Sequence, residues 1–109
     1  MDLVIANHEL TSDFPTDERH CLTSQIRRSA ISIPSNIAEG RRRSTKKDYC
    51  HFLIVAYSSG TELETQLEIA KRLPFGKNLD FSKVDSLLLE VMKILNKMLI
   101  TLKPNKLTS

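Results

Sequence analysis

Residues 82–104, SKVDSLLLEVMKILNKMLITLKP, carry Val84, Leu88, Val91, Leu95, Met98 and Leu102 at alternating steps of four and three. Side chains so spaced share one face of an α-helix, and a seam with this rhythm packs helix against helix. Asp80 to Ser82 start it, where Ser82 and Asp85 have the spacing of a capping box, and Pro104 closes it. The stretch therefore predicts a long amphipathic helix that needs partners to cover its apolar side.

Upstream, residues 46–72 show the same rhythm in Tyr49, Leu53, Ala56, Gly60, Leu63, Leu67 and Ala70. Ser44 or Thr45 can cap that helix, with Asp48 three residues after Thr45. Leu73 to Gly76 end it. From about Asp17, Leu22, Ile26, Ala30, Ile33 and Ile37 form one apolar stripe that runs straight through Pro34. A proline inside a helix removes one donor and crowds the carbonyl four residues back, at about 3 kcal/mol. An unbroken stripe predicts a kink and not a break, with Ser32, Ser35 and Asn36 as local compensators. Gly40 suits a left-handed helix end, followed by Arg41 to Arg43 where cations favour the negative helix pole. A short first helix, about Asp2 to Ser12, presents Leu3, Ala6, Leu10 and then Phe14, and stops before Pro15. The expected architecture is all-α, an up-down-up-down four-helix bundle with a Pro-kinked second helix. It occupies residues 1–104 as one domain, with residues 105–109 a frayed tail.

Composition agrees. With 109 residues, 40% hydrophobic and 27% charged, the chain suits one folded domain of ordinary kind. No run approaches the roughly 20 apolar residues that cross a bilayer, and the start lacks a basic region followed by an apolar one. Cys21 and Cys50 are too few for a disulfide framework. A cytoplasmic location with reduced thiols is expected.

The run from Leu22 to Gly40, LTSQIRRSAISIPSNIAEG, resembles the signature of the bacterial 23S rRNA intervening-sequence (IVS) proteins, also called the four helix bundle protein family. Residues 61–70, TELETQLEIA, resemble its second signature, at the expected distance after Ser44 to Asp48. The resemblance implies a homo-oligomer, commonly a pentameric ring, without established catalysis. A related branch, the accessory variability proteins of diversity-generating retroelements, is basic and implies contact with a reverse transcriptase and with RNA or DNA. The sequence departs from the family at its start, where the first helix begins further upstream.

Net charge is only +3, yet Arg27, Arg28, Arg41, Arg42, Arg43, Lys46 and Lys47 share a stretch whose one acid is Glu39. Clustered cations neutralise a phosphate backbone and release its counterions, so these seven are the candidate nucleic-acid-binding residues. Arg27 and Arg28 lie a dozen or so residues before the turn, at about 1.5 Å each, and cannot join the other five in one compact patch within a monomer. No aromatic interleaving supports base stacking there. Pro34, Asn36, Glu39 and Gly40 are assigned to the fold, with Glu39 pairing Arg42 or Arg43 across one turn or reaching a polar neighbour on another helix.

No metal site is expected. His20 with Cys21 and Cys50 with His51 would sit roughly 20 Å apart along antiparallel helices, too far to share an ion. Catalytic residues and cofactors are likewise not expected: the sequence lacks a phosphate loop, a nucleophile elbow and a His-Glu-x-x-His helix. Glu68 instead sits at pairing distance from Lys71 and Arg72. Ile31, Ile54, Val55, Tyr57, Met92 and Ile94 lie outside the seams and point to self-association. The expected role is a non-enzymatic, self-associating scaffold or interaction protein presenting a basic surface. A purely structural bundle is the alternative, and an unrecognised enzyme a further one.

Overall fold

The computed structural model describes residues 1–102, apart from the side chains of residues 18–20; the expected tail lies outside the described residues. Among the described residues four α-helices appear, α1 (Asp2–Thr11), α2 (Ser24–Arg41), α3 (Lys46–Arg72) and α4 (Ser82–Leu102). Each follows from its apolar stripe. Leu3, Ala6 and Leu10 of α1, Ile26, Ala30 and Ile33 of α2, Leu53, Ala56, Leu63 and Leu67 of α3, and Val84, Leu88 and Leu95 of α4 all enter one core. α1 packs on α2 and α4, α2 on α3, and α3 on α4, which closes the square of a four-helix bundle. Among the described residues no helix is long and apolar enough to cross a membrane.

The helix ends show where local chemistry acts. Thr45 caps α3, its hydroxyl oxygen accepting the Asp48 backbone N–H at 3.1 Å. At the other end Leu73 turns extended, as the residue before Pro74 must, and Pro74–Asn78 form a 3₁₀ turn. The start of α4 departs from the capping-box expectation. Ser82 is already helical, and the Asp80 carboxylate accepts its backbone N–H at 2.9 Å. Hydrogen bonds from the Ser82 side chain and backbone hold the Asp80 carboxyl below its usual range. Asp85 is thereby free to reach across to α3, where Lys71 Nζ lies 2.7 Å from its Oδ2.

Two further expectations are corrected. The second helix does not run as one α-helix from Asp17: a 3₁₀ turn at Thr16–Glu18 and a π turn at Arg19–Thr23 lead into it. The wider π turn lets Leu22 and Thr23, adjacent in sequence, both be buried. Gly40 is no left-handed cap either, since no described glycine has a positive φ. It is the penultimate residue of α2, and its role is close approach. A Cβ there would lie 2.8 Å from Tyr49 Cδ1 and 3.0 Å from Phe52 Cβ.

α2 continues through Pro34. Burying each large aliphatic side chain of the stripe contributes about 1.5–3 kcal/mol, so Ile26 and Ile33 together offset the proline cost. The polar neighbours do not replace the lost bond at the Ala30 carbonyl. Asn36 Nδ2 donates to the Ser32 carbonyl at 2.8 Å and to its hydroxyl at 3.0 Å, and that hydroxyl shares a 2.8 Å hydrogen bond with Ser59 of α3.

Gly76 is buried where a Cβ would overlap the Ala70 carbonyl oxygen, a backbone atom, whereas one at Gly60 would meet only the flexible Met92 thioether. Gly76→Ala is accordingly expected to cost about 2 kcal/mol or more in urea unfolding, and Gly60→Ala clearly less.

Candidate nucleic-acid interface

The structure separates the seven basic residues into three environments. Arg27 is half-buried beside the end of α1. Its Nε donates to Thr11 Oγ1 at 2.8 Å and its Nη2 to the His8 carbonyl at 3.3 Å. Thr11 in turn donates to the Asn7 carbonyl at 2.7 Å, so one guanidinium closes the C-terminal turn of α1 and fastens it to α2. Arg28 is exposed at the rim of a shallow polar hollow with Gln25, Ser29, Glu62 and Gln66. There Ser29 Oγ donates to Glu62 Oε1 at 3.2 Å, while Gln66 Oε1 is buried without a partner.

Arg41, Arg42, Arg43, Lys46 and Lys47 form the third environment, the corner between α2 and α3, and all five are exposed. Arg43 pairs with Glu39 at 2.6 Å, the partner expected one turn back. An exposed pair of this kind contributes at most about 1 kcal/mol, so it orients the guanidinium more than it holds the corner together. Among the described residues the other four cations make no ion pair. Glu68 meets Lys71 at 3.8 Å and Arg72 at 3.4 Å, as its spacing suggested.

Sequence reasoning missed the rings beside this corner. The Arg43 guanidinium carbon lies 4.7 Å from the centroid of Phe52, and the exposed His51 ring meets Phe52 edge-on at 5.5 Å and 75°. Phe52 is nine positions after Arg43, on the next helix, and only the turn joins them. The legible signal was Lys47 and His51 at one-turn spacing on α3.

Cys21 is exposed just before α2, and Cys50 is buried in the first turns of α3. Among the described residues no cluster of three or more His, Cys, Asp or Glu side chains is placed to hold a metal ion. An apolar groove opens between the start of α3 and the end of α4, lined by Tyr49, Ile94, Met98 and Leu102.

The architecture and the signature stretches define an all-α bundle protein of four helices whose second helix carries an internal proline. The sequence profile of the family described as 23S rRNA-intervening sequence protein matches residues 1–97, and the chain belongs to that family. Among curated proteins no sequence matches it.

The divided placement gives the arginines different expected behaviour. Arg27→Met is expected to lower unfolding stability by about 1–2 kcal/mol, since it strips a charged donor from Thr11 and the His8 carbonyl. Arg41→Ala, exposed and unpaired, should stay within about 0.5 kcal/mol in the same denaturant titration.

Proposed function

We propose that this protein acts by assembly and contact and not by catalysis, as a self-associating helical scaffold whose α2–α3 corner engages nucleic acid. The observation that carries this reading is the corner itself. Five exposed cations crowd one end of a helical hairpin, and among the described residues only Arg43 of the five pairs with an acid. Such a patch attracts a polyanion, and the cations gain by displacing its condensed counterions. The family's description refers to an intervening sequence of 23S rRNA, which makes RNA the first nucleic acid to test. A nucleic-acid-processing enzyme such as a reverse transcriptase would be a partner reached through the same bound strand. The cytoplasm is the compartment this role calls for.

Self-association is supported by apolar side chains that the bundle leaves outside. Ile31 is 52% exposed, Ile69 48% and Ile94 53%, on α2, α3 and α4 respectively. Exposed isoleucines on three helices exceed what one bundle needs and suit contacts between copies, closed into a ring. A pentamer is the ring that the sequence resemblance implies. In that assembly the basic corners of successive copies multiply into one polyvalent surface.

Two measurements test this. RNA affinity should fall steeply with salt, and replacing Arg41, Arg42 and Arg43 by alanine should flatten the log–log slope by about two to three. Salt-independent binding, or none at low salt, defeats the nucleic-acid half of the reading. Light scattering after size exclusion should give a mass several times that of one chain, reduced in Ile31→Asp or Ile94→Asp. A monomer at micromolar concentration removes the assembly half.

A further inference from the structure

The corner holds more than charge. Glu39 pins the Arg43 guanidinium at 2.6 Å, and the cation lies 4.7 Å from the centroid of the Phe52 ring. Phe52 is itself fixed against the end of α2, where the missing side chain of Gly40 admits it. His51 abuts Phe52 edge-on at 5.5 Å, with its own ring exposed. One turn back on α3, about 5.4 Å along the axis, is the exposed Lys47. One turn forward, Ile54 is 46% exposed. Planar groups and exposed cations therefore share this corner.

We propose that this corner is a single-strand site. Unpaired bases stack on His51 and on the Arg43 plane that Phe52 supports, while Arg41, Arg42, Lys46 and Lys47 hold the flanking phosphates. The proposal rests on the nucleic-acid reading above and names the form of nucleic acid it takes. Duplexes keep their bases stacked on one another and offer this surface only phosphates. A single strand offers both, and an aromatic or guanidinium plane accepts any base by its π face. The site is accordingly tolerant of sequence and selective for unpaired strands.

Binding of the full-length protein to four probes of equal length separates the possibilities: an unstructured RNA, the matching DNA strand, its duplex, and an abasic deoxyribose-phosphate chain. Base-bearing single strands of both kinds should bind roughly tenfold tighter than the abasic chain, the order of one base–ring stack. His51→Ala should erase most of that advantage and His51→Phe retain it. Arg43→Lys, which keeps the charge but loses the plane, should also reduce it. None of the three should alter binding to the abasic chain by more than about twofold, because the remaining phosphate contacts stay in place. Equal affinity for the abasic chain or the duplex, or variants that leave the preference intact, overturns the stacking site while the phosphate reading survives. A preference for RNA alone assigns recognition to the 2′-hydroxyl and overturns it too. Failure of every probe to bind at low salt removes both readings together.

Discussion

The close antiparallel packing of α2 on α3 is the constraint on which the rest of the molecule depends. It is the most extensive helix–helix contact in the bundle, and small residues permit it. Ala30 and Ala56 are buried along the facing seams, and Gly40 lets the start of α3 come against the end of α2. Ser29, Ser32 and Ser59 line the same junction and make cross-helix hydrogen bonds. Dispersion between closely set backbones then adds to the burial of Ile26, Ile33, Leu53 and Leu63. A proline in such a helix is affordable because neighbouring packing, and not the backbone ladder alone, holds the segment in place.

That hairpin also brings the site together. The chain turns at Arg42 to Thr45, so cations from the end of α2 and from the start of α3 face the same solvent region. Phe52, half-buried, touches both helices at that turn. Its Cβ contacts the Gly40 position while its ring carries the Arg43 cation. Fold and candidate interface thus share residues, and the identity of Gly40 sets both the helix spacing and the height of the ring.

Much of the fold was legible in sequence because helical periodicity is a local signal. The seven seam positions of α3 from Tyr49 to Ala70 are all buried or half-buried, and the bounds Lys46–Arg72 follow from a threonine cap and a proline stop. What escaped depends on partners distant in the chain. Gly40 reads as a left-handed cap until Tyr49 and Phe52 are set beside it. Ser82 and Asp85 read as a capping box until Lys71 is seen to claim Asp85. Within the site the same division holds. The seven cations could be counted from sequence, but Arg27 could be told from Arg41 only once Thr11 and the His8 carbonyl stood next to it. The ring beneath Arg43 was hidden for the same reason.

α1 has ten residues against twenty-seven in α3, or about 15 Å beside about 40 Å. Among the described residues four helices run side by side where α1 meets Arg27, and three at the α2–α3 turn. The groove of Tyr49, Ile94, Met98 and Leu102 lies near the α2–α3 turn. The opposite end is buttressed by Arg27 and by the Lys71–Asp85 clasp. The side-chain ties between α1 and α2 and between α3 and α4 thus gather at the end remote from the charged corner, so a substitution among the exposed cations leaves those ties untouched.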